Sequence, residues 1–270
     1  MAVAKTPIIT LLTDYGTRDH FVAAMKAVIL SIIPQVHIID ISHDIAPHDI
    51  IEAGFVLRSC YSNFPSRTIH LVVVDPTVGS PRKPIIVATD NYYYVAPDNG
   101  VLSLVYDVDP VSTVVEIKAE HLMLPEVSKT FHGRDIFAPA AAWLARGTDI
   151  LNFGDEITDY TKMQLPKAKM VGDSLLKGTI IHVDRFGNLV TNISREEYNA
   201  AREKVPGNVI RVLIAKQEIL GFKEFYAEAP KGETIALFGS SNLLEISQNQ
   251  GSAARTLGVN RGAEVGIQLK

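Results

Sequence analysis

Four uninterrupted apolar runs of strand length, all within the first ninety residues, constrain the fold more than any other feature. They are Pro7–Thr13, Val36–Ser42, Thr68–Asp75 and Pro84–Thr89. A strand with one wet face alternates apolar and polar residues, whereas a run apolar throughout belongs to a strand covered on both faces. Helical patterns lie between the runs. In His20–Ile33 the residues Phe21, Met25, Val28 and Ile32 share a face, and in His48–Phe64 Ile51, Phe55 and Leu57 roughly repeat the pattern. Phe137–Ala145 is Ala-rich and helical, with Gly147 as its stop. The alternation predicts an α/β class: an N-terminal layered domain over residues 1–160, built on a mainly parallel sheet.

From about Asn152 to Asp173 no period is visible, and Gly154, Pro166, Gly172 and the charged string Lys162–Lys169 read as irregular chain. A linker is expected over residues 161–174. Beyond it come short apolar runs separated by Gly and Asn: Lys177–Val183, Leu189–Ile193, Val209–Ala215, Phe222–Ala227, Thr234–Phe238, Leu243–Ser247 and Glu264–Leu269. They predict a smaller C-terminal β-barrel over 175–270, with short helices near Arg195–Lys204 and Ser252–Leu257.

Charge and cysteine narrow the partners. The formal charge of −4 and the lack of a Lys/Arg run argue against a nucleic-acid partner. Cys60 is the only cysteine, so neither an intrachain disulfide nor a thiolate metal cage is possible. The run Ile8–Leu12 stops at Asp14 without signal-peptide features, and Val22–Ile33 is broken by Lys26 and Ser31 and too short for a bilayer. A cytoplasmic protein with no membrane partner is expected.

Polar residues gather where the apolar runs end. Asp14, Asp40 with His43, and Asp75 each close a run, and the carboxyl ends of parallel strands form the ligand crevice of such sheets. Asp40 and Asp44 fit simple turn formation; Asp14 and Asp75 fit a site. The loop Asp75–Arg82, DPTVGSPR, is rigid enough to hold an acid and a guanidinium at fixed separation. In TFHGRD, Thr130–Asp135, His132 is either a loop histidine or a proton carrier near neutral pH, and Arg134 with Asp135 braces the turn. In DRFGNLVTN, Asp184 and Asn188 surround a Gly turn, and an Asn amide there either shapes the turn or reads a purine edge. Ser240, Ser241, Asn242 and Glu245 form a further polar cluster.

Taken in order, TDYG, VVVDPTVGSPR, TFHGRDIFAPAAA, HVDRFGNLVTNI and SSNLLEISQNQGSAA resemble the S-adenosyl-L-methionine (SAM) hydroxide adenosyltransferases, relatives of the fluorinase and chlorinase. The resemblance covers nearly the whole chain. It implies a SAM-hydrolysing enzyme that releases adenosine and L-methionine, a homotrimer, and a site shared between the N-terminal domain of one subunit and the C-terminal domain of its neighbour. Asp75, Arg82 and His132 would activate water and Asp14 would hold the ribose hydroxyls. Thr130 and Phe131 would line the sugar and methionine region. Asp184 and Ser241 would meet the amino-acid end, Asn188 and Tyr226 the adenine, and Glu245 the adenosine. No cofactor and no metal is implied, SAM being the substrate. Two positions depart from the family pattern: Thr77 stands where such hydrolases carry Gly, and His48 where the fluorinase carries a bulky aromatic.

Three other readings make distinct predictions. A metal-dependent hydrolase would draw ligands from Asp14, Asp40, His43, Asp44, His48 and Asp49, although their spacing matches no metal motif. A SAM-dependent halogenase would have to place a halide beside Asp75, which would repel it. A non-catalytic SAM or adenosine sensor would bind without turnover.

Overall fold

The computed structural model describes residues 6–164, 166–205 and 209–269. Two compact units divide the chain, Met1–Gln164 and Leu165–Lys270. The first carries β1 (Ile8–Thr13), α1 (Phe21–Ile32), β2 (His37–Ser42), α2 (Ile50–Cys60), β3 (Ile69–Val73), β4 (Pro84–Thr89), β5 (Tyr93–Pro97), α3 (Ser103–Tyr106), β6 (Val111–Glu116) and α4 (Ala138–Ala145). Its six strands run in the order β2-β1-β3-β5-β4-β6.

The apolar runs behave as their composition demands. Every residue of β3 is buried, and its alternate side chains enter two separate cores. Ile69, Leu71 and Val73 meet Met25, Ile29 and the Ala-rich α4 on one face. Val72 and Val74 join Ala53, Leu57 and Val105 on the other. Helix α4 is apolar almost all round because it lies inside, with Pro139 in its first turn where a missing N–H costs nothing. The buried stripe of α1 is Val22, Met25 and Ile29; the expected Phe21, Val28 and Ile32 pack partly buried against the same core.

The expected mainly parallel pairing holds for three of the five strand pairs. β1 pairs β2 and β3 in parallel, and β3 pairs β5 in parallel, but β4 runs antiparallel to both β5 and β6. The sheet is mixed, and its parallel half carries the strand ends that bear Asp14 and Asp75. β2 is an edge strand rather than a covered one, with Ile39 exposed.

The second unit holds β7 (Lys169–Val171), β8 (Leu175–Val183), β9 (Leu189–Ser194), α5 (Arg195–Lys204), β10 (Ile210–Ile214), β11 (Gln217–Leu220), β12 (Thr234–Phe238), β13 (Leu243–Gln248), α6 (Ala253–Leu257) and β14 (Glu264–Leu269). The path β11-β10-β14-β8-β9-β13-β12 is antiparallel, and its two end strands approach each other so that a barrel nearly closes. Helix α5 starts on a capping box, Ser194 accepting from Glu197 N–H while Glu197 accepts from Ser194 N–H. The strand expected at Phe222–Ala227 is absent; Tyr226–Glu228 forms a single helical turn, and the ladder strand is β11 instead. Phe222 looks strand-like because its ring packs on Tyr198 and Phe238, a tertiary use of an apolar residue rather than a ladder position.

Candidate functional site

In the first unit β1 and β3 are adjacent and parallel, with Thr13 opposite Val73. Asp14 and Asp75 therefore leave the same edge of the sheet on neighbouring strands, which lie about 4.8 Å apart. Asp14 is nearly buried, and its Oδ2 accepts the His48 backbone N–H at 2.9 Å. His48 itself holds a left-handed φ of 69°, unusual outside glycine and a mark of backbone kept strained by its surroundings.

The loop from Asp75 closes on itself. Asp75 Oδ2 accepts both Nε and Nη2 of Arg82, at 2.9 and 2.5 Å. Oδ1 accepts two longer bonds, from the backbone N–H and the hydroxyl of Thr77, at 3.3 and 3.2 Å. Both ion-pair side chains are below a tenth exposed. Gly79 explains how this loop reaches the second motif. Its φ is +80°, and a Cβ there would stand 2.3 Å from the carbonyl oxygen of Lys129. Only glycine allows the loop to press on the chain just ahead of Thr130.

That chain is stapled from beneath. Asp135 is fully buried and accepts from the Ser128 N–H and hydroxyl and from Arg134 Nε. Burial alone would raise its carboxyl, but the Arg134 and Ser128 bonds outweigh it and hold it below the ordinary value. The brace expected between Arg134 and Asp135 is present at 2.6 Å. A single π-turn, Gly133–Phe137, leads into α4, a distortion that recurs at functional sites.

These constraints bring His132 to Arg82. Nδ1 of His132 lies 2.7 Å from Arg82 Nη2. A guanidinium has only donors, so Nδ1 must accept, and the imidazole proton of the neutral ring resides on Nε2. Burial and the Arg82 charge both lower the His132 pKa, against the smaller pull of Asp75. One guanidinium thus joins an acid and a neutral imidazole, whose ring also bonds the Ser128 backbone.

Of the other residues expected here, Phe131 is buried, stacked edge-on by Tyr15 and Phe21 and covered by the Arg134 guanidinium, while Thr130 is exposed. Asp40 and His43 have other partners: Asp40 pairs with Lys26 and lies 3.1 Å from His43, and His43 bonds Thr13. Among the described residues no cluster of three or more His, Cys, Asp or Glu is placed to hold a metal ion.

The second unit gathers the remainder. Asp184 closes the β8–β9 turn, accepting the N–H groups of Phe186 and Asn188 on Oδ1 and the Asn188 amide on Oδ2. Tyr226 donates to Glu245 Oε1 at 2.8 Å, and Ser247 donates to the same oxygen at 2.6 Å. Burial, Glu245 and Asp184 raise the Tyr226 phenol, so Tyr226 lies within electrostatic reach of Asp184. Phe186, Phe225 and Tyr226 leave large ring surfaces exposed beside these polar groups. Ser241 sits exposed at the tip of the β12–β13 turn.

This arrangement matches a known family across most of its length. Residues 9–154 match the SAM hydroxide adenosyltransferase N-terminal domain, and residues 178–266 match the C-terminal domain of the same family. The chain belongs to the SAM hydroxide adenosyltransferase family. It is 35% identical to the (R)-S-adenosyl-L-methionine hydrolase of Methanocaldococcus jannaschii, over 96% of this chain and 95% of that protein. A fluorinase of an Actinoplanes strain is 30% identical over 74% of this chain and 76% of its own. A crystal structure of an uncharacterized conserved protein from Thermotoga maritima superposes with a TM-score of 0.89 at 37% identity, covering 96% of this chain and 99% of that one.

Three contacts go beyond the roles expected from the sequence. Thr77 donates to Asp75, Ser128 anchors Asp135, and Tyr15 packs behind Phe131. Tyr15 had a signal, since it directly follows Asp14 in TDYG. Ser128 had none, because its partner becomes visible only once the turn is built.

Proposed function

We propose that this protein hydrolyses SAM to adenosine and L-methionine by in-line attack of water on the ribose C5′. The observation that carries the reading is the single Arg82 guanidinium shared by Asp75 and His132. The sulfonium leaves as a neutral thioether and needs no acid. The nucleophile is the difficulty, because bulk water has a pKa near 15.7.

The hydrogen-bond pattern supports one division of labour. His132, held by Arg82 and the Ser128 backbone, walls the water on the side opposite Asp75 and fixes its position. Asp75 Oδ1, engaged only by the longer Thr77 bonds, accepts a water proton as the C5′–O bond forms. The C5′–S electron pair goes to sulfur, and the proton passes from Asp75 to solvent. Arg82 holds both partners in register and balances the charge of the carboxylate. Asp14 accepts from the ribose hydroxyls with its free edge, oriented by His48 N–H.

The reading extends to a cytoplasmic homotrimer that uses no cofactor. In it the Asp14, Thr130, Phe131 and Asp75–Arg82–His132 group of one copy faces Asp184, Asn188, Tyr226, Ser241 and Glu245 of the next. The exposed rings around Asp184 support it, since they offer stacking surface for a purine. Among the described residues no helix is long and apolar enough to cross a membrane. Relatives named for the (R) sulfonium suggest that this epimer is the preferred substrate.

The test is to incubate pure protein with each sulfonium epimer of SAM, with and without chloride or fluoride. Equimolar adenosine and methionine, independent of halide, is expected. No turnover of either epimer sinks the hydrolase reading; a halide-dependent 5′-halo product replaces it with a halogenase.

A further inference from the structure

Tyr15 and His20 are polar side chains built into the aromatic wall of Phe21 and Phe131. The Tyr15 ring meets Phe21 at 5.4 Å and Phe131 at 5.9 Å between centroids. Its hydroxyl points at the turn that carries His132: a Cβ on Gly133 would lie 2.7 Å from Tyr15 Oη. The absence of a side chain at Gly133 is therefore what gives the phenol its place. The same Cβ would also meet Met25 and Phe131, at 3.3 and 3.4 Å, so the position is closed on three sides.

The surroundings keep the phenol protonated. Burial, then the Asp14 and Asp75 carboxylates, push its pKa well up, against a smaller opposing pull from Arg82. Tyr15 is thus a neutral hydroxyl within electrostatic reach of the ribose acid, the water acid and the guanidinium. A purely structural role in this wall would be filled by phenylalanine, as at its neighbours Phe21 and Phe131.

We propose that Tyr15 is a positioning residue for the hydrolytic reaction: its hydroxyl, seated against Gly133, fixes the His132 turn against the Asp75–Arg82 loop. This inference rests on the hydrolase reading above. Tyr15 acts through His132 and the spacing of the two acids, setting the line on which water, C5′ and sulfur must lie. Small misplacements on such a line cost disproportionately in rate.

Tyr15→Phe keeps the ring and removes only the hydroxyl. The expected result is a fall in kcat of about tenfold or more, with KM for SAM and the adenosine Kd within about threefold of wild type. Gly133→Ala is a second route to the same place, since its new methyl displaces the hydroxyl. In a double-mutant cycle the alanine should cost less in the Tyr15→Phe background than alone, because the clashing oxygen is gone. A Tyr15→Phe protein with kcat within twofold of wild type overturns the assignment, as does strict additivity in the cycle or an equal loss of adenosine binding. If Tyr15→Phe fails to fold, the Gly133→Ala kinetics alone decide: an unchanged kcat overturns the proposal. A wild type that binds SAM without turnover overturns the hydrolase reading and this role with it, whereas an active wild type with an equally active Tyr15→Phe overturns the role alone.

Discussion

At the scale of single residues the central group is a problem in donor counting. Arg82 spends Nε and Nη2 on Asp75 and shares Nη2 with His132, and a single ammonium has no fork with which to copy that geometry. Arg82→Lys should therefore lower kcat about a hundredfold while leaving the adenosine Kd within about threefold. Isothermal titration with adenosine, alongside steady-state rates, checks both halves. The pH dependence follows from His132. Its lowered pKa keeps the ring neutral through the physiological range; protonation as pH falls would place a proton on Nδ1 and expel Arg82. The acid limb of kcat should lie below the ordinary histidine value of about 6.5, with a flat rate above it. A limb centred above pH 7 would contradict this assignment. Sequence reveals the residue types at these positions, since strand-end acids and a Gly-flanked histidine stand out. The tautomer is not legible there, because it depends on one 2.7 Å contact between residues 50 apart in the chain.

At the scale of elements the loop, the staple and the sheet each carry an outcome. Gly79→Ala combines a positive φ with a Cβ 2.3 Å from the Lys129 carbonyl. It should destabilise by roughly 1–3 kcal/mol and lower kcat by more than the stability loss explains, because the two motifs are pushed apart. Denaturant midpoints and rates measured on one preparation separate the effects. Inside the sheet, His70 is fully buried, bonded through Nδ1 to Thr10 Oγ1 at 2.9 Å and stacked on Tyr94 at 5.2 Å. Burial pushes its pKa down to about 3. The unfolded chain takes up a proton near pH 6.5 that folded His70 refuses until about pH 3. Stability present above pH 6.5 is thus lost as pH falls through that window, at up to about 1.4 kcal/mol per unit. His70→Leu should flatten the slope between pH 6.5 and 4; an unchanged slope would show that the burial is not the cause. The strands β1, β3 and β4 are legible because both faces are covered and the apolar run records it. β5 is not, since Tyr93–Pro97 is tyrosine-rich and ends in proline, and Tyr94 is tolerable inside only because Asp109 takes its hydroxyl. β7 escapes for the opposite reason: three exposed edge residues leave no pattern in what reads as a linker.

At the scale of the whole molecule the candidate residues fall into two sets, one in each compact unit. The proposed trimer makes a specific prediction about mixing. Copies carrying Asp75→Ala and copies carrying Asn188→Ala should each be inactive, yet co-expressed they should recover roughly a quarter of wild-type activity, because some sites then draw both halves from intact units. No recovery, with mixed assemblies verified by mass, would place both halves in one chain. The chemistry itself is tested most directly by turnover of SAM in H2 18O. Attack of water on C5′ puts one 18O into the 5′-hydroxyl of adenosine and none into methionine, with the two products equimolar. Label in methionine, unlabelled adenosine, or no turnover would contradict the account.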